Sequence, residues 1–399
     1  MIGISKLYCG TVEPSDPLRY NRKSKDLPSS LLQFSADKKP VVVWNITRRC
    51  NLKCVHCYSA SDNLLYPDEL STEEGKKLID DLASFEVPVL LFSGGEPLTR
   101  PDFFELASYA VSKGIRAVIS TNGTLITEKV AEKLKGINLS YVGISLDGVG
   151  LVNDEFRGEK GAFQKALEGI RNCQKLGLKV GLRFTINKRN YKQIPEIFKL
   201  LEDENIPRAC FYHLVYAGRG SELKEEDLDL KEKREIVDEI IDLTYQLYQK
   251  GLKKEVLTVD NHADGVYLYL RMKREGNKRS EEVLELLKMN EGNSSGRGIG
   301  CISWDGEVYP DQFWRNQPLG NVREKKFSQI WTDLSHPLLS KLKDKKPHLK
   351  GRCAKCIWLD ICAGNFRARA EAATGDIWAP DPACYLTDEE IGIKEGGLR

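Results

Sequence analysis

The most constraining feature of the sequence is an alternation of short apolar runs with longer amphipathic runs between residues 41 and 215. Each apolar, β-branched run predicts a buried strand, and each run with a 3.6-residue period predicts a helix. The six predicted strands are Val41–Asn45, Val89–Phe92, Arg116–Ser120, Tyr141–Ser145, Lys179–Ile186 and Cys210–Val215. Parallel strands joined by right-handed crossover helices follow from this pattern. The sequence therefore predicts an α/β fold, a partial (β/α)6 TIM-like barrel with its site at the carboxyl ends of the strands.

The predicted helices occupy the intervals between these strands, and their ends carry recognisable signals. Ser71 and Glu74 form a capping-box pair, in which each side chain accepts a hydrogen bond from the backbone N–H of the other residue. Gly114 and Gly177 follow two of the helices, where a left-handed residue commonly ends a helix. The predicted helices are Ser71–Phe85, Asp102–Lys113, Glu128–Lys135, Phe163–Leu176 and Ile194–Glu204.

The alternation divides the chain into four predicted regions. These are an N-terminal extension over residues 1–39, the barrel core over 40–220, a helical and loop connector over 221–300 and a C-terminal domain over 301–399. We expect the extension to be irregular, and the turn-rich stretch 275–300 to be a linker or a mobile active-site loop. Asp305-Gly306 predicts a tight hairpin over Trp304–Pro310, and Phe327–Asp333 is predicted to be a short helix.

Charge and hydropathy exclude several classes of function. The chain carries 60 basic and 58 acidic residues, for a net charge of +2, so no overall field would attract nucleic acid. No apolar run approaches the ~20 residues that span a bilayer, and the first residues lack the apolar core of a secretion signal. We therefore expect a soluble, cytoplasmic protein that binds neither nucleic acid nor membrane.

Eleven cysteines are present, and seven of them fall into two groups with short spacings. In a reducing compartment such groups indicate a metal site or catalysis rather than disulfides. Cys50, Cys54 and Cys57 follow the first strand with the spacing C-x3-C-x2-C, so that three thiolates can hold an iron–sulfur cluster and leave one iron open. The alternative is a zinc ion held by these cysteines and His56, although a histidine between the last two cysteines fits a tetrahedral site poorly.

The motif Cys50-x3-Cys54-x-His56-Cys57 after the first strand of a β/α chain resembles that of the radical S-adenosylmethionine (SAM) family. The resemblance implies a [4Fe–4S] cluster on the three cysteines, with SAM on the open iron through its amino and carboxylate groups. It also implies that SAM is cleaved reductively to methionine and a 5′-deoxyadenosyl radical. The electron would come from a donor protein of the ferredoxin or flavodoxin type.

Further signatures of this family lie at successive strand ends. Gly94-Gly95-Glu96-Pro97 ends the second strand and resembles the segment that contacts the SAM amino group. Ser120-Thr121-Asn122-Gly123 and Ser145-Leu146-Asp147-Gly148 end the next two strands, and Arg183 on the fifth resembles the residue that pairs with the SAM carboxylate. The cofactor-binding residues implied by the resemblance are Gly94, Gly95, Glu96, Pro97, Asn122, Ser145, Asp147, Arg183 and His56.

The second cysteine group comprises Cys353, Cys356, Cys362 and the later Cys384. Four thiolates suit a closed iron–sulfur cluster or a zinc ion. The spacing resembles the SPASM-type C-terminal extension of radical SAM enzymes, which implies an auxiliary [4Fe–4S] cluster. A full extension holds two such clusters, but Asp311 and Phe366 stand where cysteines are expected. The sequence therefore predicts one auxiliary cluster, with Cys301 left over as an unassigned ligand candidate.

Other segments resemble the tetrapyrrole-modifying members of the family, and this likeness runs from Pro40 to Ile391. The segments are Val180–Thr185, Tyr216–Gly220, Asp264–Leu268 and Trp378–Leu386. Two groups share them, namely the didecarboxysiroheme deacetylases of the alternative heme pathway and the heme d1 biosynthesis proteins that act on propionate side chains. The first residues of the chain are more similar to the deacetylases. The resemblance thus implies removal of two acetate side chains from an iron tetrapyrrole, which gives iron-coproporphyrin III.

A flat apolar macrocycle with several carboxylates requires an apolar slot and forked cationic partners. The arginines near predicted strand ends or loops are Arg49, Arg183, Arg219 and Arg297. The candidate catalytic residues are His213, His262 and Arg219, because a histidine near a strand end can ligate the substrate iron or donate protons. A structural, hydrogen-bonded role is the alternative for any one of them.

Three other functions are consistent with the sequence. A peptide maturase would use the same SPASM-type extension, although residues 1–39 are short for a leader-peptide domain. A non-catalytic iron or tetrapyrrole carrier would have lost SAM cleavage, and the intact cysteine triad argues against it. A zinc-binding interaction protein would be colourless when loaded with metal.

Overall fold

The structure is a computed structural model, and it describes residues 1–10, 23–26, 32, 37 and 39–393. Within these residues eleven strands form one sheet. In chain order they are β1 (Ile2–Gly3), β2 (Val41–Thr47), β3 (Val89–Gly94), β4 (Arg116–Thr121), β5 (Tyr141–Ser145), β6 (Val180–Ile186), β7 (Arg208–His213), β8 (Glu255–Val259), β9 (Ile299–Ile302), β10 (Glu307–Tyr309) and β11 (Gly320–Asn321). Their spatial order is β1-β8-β7-β6-β5-β4-β3-β2-β9-β10-β11.

Fifteen α-helices accompany the sheet in the described part of the chain. They are α1 (Ile4–Tyr8), α2 (Thr72–Ser84), α3 (Phe103–Ser112), α4 (Glu128–Gly136), α5 (Leu151–Arg157), α6 (Ala162–Lys175), α7 (Ile194–Asp203), α8 (Leu230–Gln249), α9 (Ala263–Arg274), α10 (Ser280–Asn290), α11 (Phe327–Thr332), α12 (Pro337–Lys343), α13 (Gly351–Ala354), α14 (Leu359–Cys362) and α15 (Arg367–Thr374). The capping box predicted for the first long helix is confirmed, because Ser71 and Glu74 each accept a hydrogen bond from the other's backbone N–H.

The six predicted strands are confirmed as β2 to β7, which are consecutive parallel neighbours in the sheet. Helices α3 and α6 contact strands in this part of the sheet, and polar residues of β4 to β7 line the cavity on its other side. Trp44 on β2 and Phe92 on β3 are both fully buried, and their rings pack with centroids 5.8 Å apart. Parallel pairing brings the carboxyl ends of all six strands to one edge, where the predicted site residues lie.

The parallel sheet extends further than the six predicted strands. β8 adds in parallel to β7, and β9 adds in parallel to β2. The expectation that residues 275–300 are a linker or mobile loop is wrong for about half of that stretch, since α10 and the start of β9 lie in it. Val283 and Leu287 bury one face of α10. The apolar pattern of α10 is short and lies between turns rich in glycine and asparagine, so the sequence did not predict the helix.

The irregular conformation expected for residues 1–39 is wrong at the beginning of the chain. β1 pairs antiparallel with β8, so that Ile2 lies opposite Thr258. Ile2, Ile4 and Leu7 are buried, because β1 and α1 cover the edge strand that the sequence did not reveal. Most of the remaining extension lies outside the described residues.

The C-terminal region begins with the predicted hairpin. β9 and β10 pair antiparallel, and Gly306 in the turn has a φ of 88°, a left-handed conformation that glycine adopts without strain. The predicted short helix is confirmed as α11. Across the described ranges, no helix combines the length and the apolar character needed to cross a bilayer.

Candidate active site

The loop after β2 carries the first cysteine group. Cys50 and Cys54 are buried, and backbone N–H groups point at two of the three sulfur atoms. The Leu52 N–H lies 3.4 Å from Cys50 Sγ, and the Ser61 N–H lies 3.5 Å from Cys57 Sγ. Hydrogen bonds to sulfur help to set the potential of an iron–sulfur cluster. The loop thus supplies three sulfur atoms whose surroundings suit cluster thiolates.

Arg157 at the end of α5 is a site residue that the sequence did not reveal. Its Nη1 lies 3.6 Å from Cys54 Sγ, and its guanidinium forms an ion pair with Asp147, with both side chains almost fully buried. Asp147 also accepts a hydrogen bond of 2.6 Å from the Thr185 N–H. The pair therefore connects Cys54 to β6. In the sequence Arg157 is simply the residue before Gly158, which ends the helix, and no motif marks this arginine as a site residue.

His56 lies beside this ion pair. Its Nε2 is 3.6 Å from Asp147 Oδ2, and its ring packs on Phe156 with centroids 4.6 Å apart. Burial lowers the pKa of His56 to about 4, so the imidazole is neutral near pH 7. Its Nδ1 has no hydrogen-bond partner among the described residues. The ring can pack against an adenine, as the resemblance implies.

The two glycines that end β3 allow the cysteine loop to approach the strand closely. A Cβ on Gly94 would lie 2.2 Å from the Thr47 carbonyl oxygen, and one on Gly95 would lie 2.1 Å from the Arg49 carbonyl oxygen. The Gly95 N–H donates to the Thr47 carbonyl at 2.7 Å. The missing Cβ atoms are therefore needed for close contact between two protein segments.

The Glu96 side chain is fully buried and hydrogen-bonded within the protein. It accepts from the Thr121 hydroxyl at 2.8 Å, from the Asn122 N–H at 2.8 Å and from the Leu98 N–H at 3.1 Å. Burial raises the pKa of Glu96 to about 7, against the effect of these donors. The carboxyl group joins the ends of β3 and β4, and Pro97 begins the short 3₁₀ turn that follows.

The remaining predicted SAM contacts lie at the ends of β4, β5 and β6. The Asn122 side chain donates to the side-chain Oδ1 of Asn51 at 2.9 Å, and its Nδ2 lies 4.0 Å from Cys50 Sγ. Ser145 and Arg183 line a cavity at this edge of the sheet. The Arg183 guanidinium carbon lies 5.0 Å from the centre of the Tyr212 ring. The strand ends thus place polar groups between the cysteine loop and the cavity.

The cavity has two adjoining parts. The smaller, of about 100 Å³, reaches the cysteine loop at His56. The larger, of about 250 Å³, reaches the C-terminal region at Asp311 and Phe366. The residues that line both parts are Val43, Leu91, Arg183, Tyr212, Asp260, Gln312 and Phe313. One continuous space therefore connects the first cysteine group with the C-terminal region.

The second cysteine group converges in the C-terminal region. Burial raises the pKa of Cys362 well above its usual value, and the nearby thiols of Cys384, Cys353 and Cys356 raise it further. The Trp358 N–H lies 3.4 Å from Cys356 Sγ. Four neighbouring cysteines, of which Cys353 is buried and the other three are partly buried, fit a closed cluster with a full set of protein ligands.

The positions where a second auxiliary cluster would need cysteines are occupied by other contacts. Cys301 is buried on β9, and its Sγ accepts a hydrogen bond of 3.5 Å from Asn45 Nδ2. Asp311 accepts a hydrogen bond of 2.9 Å from the Phe313 N–H. Phe366 packs on Phe313 with ring centroids 5.7 Å apart. These contacts agree with one auxiliary cluster rather than two.

Both cysteine groups fit iron–sulfur clusters. All eleven cysteines are free of disulfides. In the ranges that the structure describes, no three or more His, Cys, Asp or Glu side chains lie close enough together to share a single ion. In a cluster each thiolate binds a different iron atom, so its ligands stand farther apart than those of one ion. The seven cysteines are buried or partly buried, and backbone N–H groups point at several of the sulfur atoms, as suits such ligands.

The two candidate histidines both lie at the cavity. His213 Nε2 is 2.9 Å from Asp264 Oδ2, and the Tyr385 hydroxyl donates to Asp264 Oδ1 at 2.8 Å. His213 is therefore held in one orientation at the wall of the smaller part. Burial lowers the pKa of His262 well below its usual value, so this imidazole is neutral at the wall of the larger part.

The candidate arginines occupy different places. Arg219 turns toward the cysteine loop, where it donates to the carbonyl oxygens of Cys54 at 2.8 Å and Ser61 at 3.0 Å. Arg49 Nε donates a hydrogen bond to Asn63 Oδ1 at 2.9 Å on the exposed side of the loop. Arg183 and Arg297 line the larger part of the cavity. The structure therefore brings two of the four arginines to the cavity.

Two family models match the chain. The radical SAM superfamily model matches residues 44–201, which run from β2 to α7 and include the first cysteine group. The SPASM model, described as an iron–sulfur cluster-binding domain, matches residues 295–357. These matches confirm the predicted fold class, the SAM-binding [4Fe–4S] cluster and an auxiliary cluster.

Known proteins are similar along most of the chain. Fe-coproporphyrin III synthase of Methanosarcina barkeri is 66% identical over 99% of this chain and 100% of the relative. Pre-heme d1 synthase of Dinoroseobacter shibae is 44% identical over 89% of this chain and 88% of the relative. Among solved structures, Streptococcus suis SuiB bound to S-adenosylmethionine has a TM-score of 0.70 at 20% identity, covering 88% of this chain and 78% of that chain. The last similarity shows the fold.

Proposed function

This chain belongs to the radical SAM superfamily and carries a SPASM iron–sulfur domain, and on this premise we propose that it removes two acetate side chains from iron-bound didecarboxysiroheme to form Fe-coproporphyrin III. The observation that carries the proposal is the 66% identity over 99% of the chain to a protein named for that product. The pre-heme d1 synthase is less similar, at 44%. Modification of propionate side chains is therefore the alternative that the experiment below distinguishes.

The proposed ligands of the SAM-binding cluster are Cys50, Cys54 and Cys57, and those of the auxiliary cluster are Cys353, Cys356, Cys362 and Cys384. When bound, SAM and the reduced cluster supply a 5′-deoxyadenosyl radical. The residues of the chain hold the sulfur atoms and shield the site. Leu52, Ser61 and Arg157 place hydrogen-bond donors at the three sulfurs. Exclusion of water from the buried cavity would limit side reactions of the radical.

The predicted SAM contacts divide into two sets. We propose that His56, Ser145 and Arg183 touch SAM, because these three line the cavity beside the cysteine loop. The other set acts by positioning the cysteine loop and the strand ends, because its hydrogen bonds and close contacts are made within the protein. That set contains Gly94, Gly95, Glu96, Pro97, Asn122 and Asp147.

The larger part of the cavity is the proposed tetrapyrrole site. Val43, Leu91 and Phe313 provide apolar walls for a flat macrocycle. Arg183 and Arg297 line the same space and can pair with carboxylates in a forked geometry. His213 and His262 are the proposed proton-transfer candidates, and Arg219 has a positioning role at the cysteine loop.

An electron donor of the ferredoxin or flavodoxin type is the proposed source of electrons, and a cytoplasmic location is proposed because thiols remain reduced there. The domain limits also remain proposals. They are an extension over 1–39, a core over 40–220, a connector over 221–300 and an auxiliary-cluster domain over 301–399.

The test is an anaerobic reaction of the reconstituted protein with dithionite, SAM and iron-bound didecarboxysiroheme, with all products read by mass spectrometry. Loss of two acetate groups together with 5′-deoxyadenosine is the expected result. Cys54→Ala removes one ligand of the SAM-binding cluster and should abolish both products. Cys173→Ala is the matched control, because Cys173 is buried in α6 and belongs to neither cysteine group.

The other outcomes identify the alternatives. Formation of 5′-deoxyadenosine with the acetates intact would overturn the proposed substrate, and a heme d1 precursor or a peptide would be tried next. Absence of 5′-deoxyadenosine from a protein with both clusters would revive the non-catalytic carrier. A colourless, zinc-loaded protein would indicate the interaction protein.

A further inference from the structure

Asp260 directly follows β8 and lies where the two parts of the cavity meet. Its φ is +65°, in the left-handed region that few residues other than glycine, asparagine and aspartate adopt. Such conformations persist where the surroundings enforce them, and they are common at functional sites. The backbone conformation of Asp260 is therefore one that is common at functional sites.

The C-terminal region holds Asp260 in place. Arg369 Nη2 donates to the Asp260 carbonyl oxygen at 2.8 Å, and Arg369 Nη1 donates to the Leu214 carbonyl oxygen at 3.1 Å. The guanidinium is itself paired with Asp381 at 2.9 Å, and both of these side chains are fully buried. One buried ion pair thus fixes the ends of β7 and β8 to the segment between Cys362 and Cys384.

The Asp260 side chain is 9% exposed, and its Oδ2 has no hydrogen-bond partner among the residues that the structure describes. Arg369 approaches the Asp260 backbone carbonyl, while it pairs with the Asp381 carboxylate. Burial raises the pKa of Asp260 to about 7. A buried polar atom without a partner is rare in a folded protein and calls for a ligand or water. At Asp260 the unpartnered atom lies on the wall of the cavity.

We propose that Asp260, as a neutral carboxylic acid, donates a hydrogen bond to a carboxylate of the bound tetrapyrrole and so positions the macrocycle. The inference rests on the proposed function, because it requires a substrate with carboxylates. Hydrogen bonds between a neutral acid and a carboxylate are short and strong. An ionised Asp260 would instead repel the same carboxylate. The acid thus complements Arg297, which lines the larger part of the cavity and stays charged whatever the state of Asp260.

Other charged and titratable groups face Asp260. They are the guanidinium of Arg369, the imidazole of His213, the carboxyl of Asp311, the hydroxyl of Tyr212 and the amino group of Met1. Arg183 and His262 line the same cavity. To assign a pH dependence of binding to Asp260, a variant is therefore needed in which only position 260 loses its ionisable group.

The experiment is an absorbance titration of the reconstituted protein with iron-bound didecarboxysiroheme, without SAM or reductant, between pH 6 and pH 8. For one group with a pKa of about 7, the Kd of the unmodified protein should rise about tenfold over this range. Asp260→Asn keeps a hydrogen-bond donor and tolerates the left-handed backbone. Its Kd should change less than about twofold over the same range. Glu239→Gln should keep the tenfold dependence, because burial also raises the pKa of Glu239 but this residue of α8 does not line the cavity.

Two results would overturn the inference: Asp260→Asn keeps the pH dependence, or Glu239→Gln removes it. The iron content and the far-ultraviolet circular dichroism of each variant separate a loss of folding from a loss of contact. If Asp260→Asn fails to fold, Asp260→Gly relieves the backbone and should show weak binding at every pH. An unmodified protein that does not bind the tetrapyrrole at any pH would refute the proposed function instead.

Discussion

Replacing Gly95 by alanine should displace the loop that carries the first cysteine group. The new Cβ would lie 2.1 Å from the Arg49 carbonyl oxygen and 2.6 Å from that of Arg48. The first distance is about 1.3 Å short of ordinary contact at 3.4 Å. Both oxygen atoms belong to the backbone, so no side-chain rotation can relieve the overlap. Overpacking costs about 1–3 kcal/mol and occasionally more, and we expect a loss of about 3 kcal/mol.

The assay combines the free energy of unfolding in urea with the electron paramagnetic resonance signal of the reduced protein, with and without SAM. Gly95→Ala should unfold more easily and lose the SAM-dependent change in the signal, because Arg49 adjoins Cys50. Gly136→Ala is the matched control, since a Cβ on Gly136 meets nothing within 4 Å. Because Gly136 is the last residue of α4, alanine at this position should leave the free energy of unfolding unchanged or raise it by up to about 1 kcal/mol. A Gly95→Ala protein within about 1 kcal/mol of the unmodified protein, with a full SAM response, would refute this reasoning.

Three further predictions concern the ion pair, the buried histidine and the auxiliary cluster. Arg157→Gln leaves the buried Asp147 carboxylate unpaired and should lower the free energy of unfolding by about 3–5 kcal/mol. The double variant that also carries Asp147→Asn should recover part of this loss. An Arg157→Gln protein as stable as the unmodified protein would contradict the role of the pair. Burial lowers the pKa of His56 to about 4 in the folded protein, against about 6.5 in the unfolded chain. The stabilising contribution of the neutral imidazole is therefore complete above a pH of about 6.5. It is lost as the pH falls from about 6.5 toward 4. The unmodified protein should therefore be about 1.4 kcal/mol less stable at pH 5.5 than at pH 7.5 through this residue, and an equal loss in His56→Phe would count against it. Cys384→Ala should reduce the iron content from about eight to about four atoms per chain while keeping SAM binding, and an unchanged iron content would remove Cys384 from the ligand set.

Local patterns were sufficient to predict much of the fold. The strands β2 to β7 are apolar, β-branched runs separated by helices with clear caps, so pattern and topology agree. β8 was missed because Glu255–Val259 is a five-residue run between a charged helix and a turn. Its strand character depends on pairing with β7 and β1. Such pairing is a tertiary property that no local window of sequence contains.

The cysteine groups could be predicted because metal ligands cluster in the sequence, whereas their supporting residues do not. Arg157 lies about a hundred residues from Cys54 in the chain and meets it only through α5. Arg369 and Asp381 look like ordinary charges in the sequence, yet both are fully buried. The sequence singled out Gly94 and Gly95 by resemblance alone, and the structure shows that the backbone of Thr47 and Arg49 leaves no room for a Cβ at either position.

The most direct test of the central claim follows 5′-deoxyadenosine and Fe-coproporphyrin III together in one anaerobic reaction of the protein with its two clusters. Removal of two acetate groups predicts that about two molecules of 5′-deoxyadenosine accompany each Fe-coproporphyrin III, because each removal requires one radical. Continued formation of 5′-deoxyadenosine beside a tetrapyrrole of unchanged mass would contradict the account.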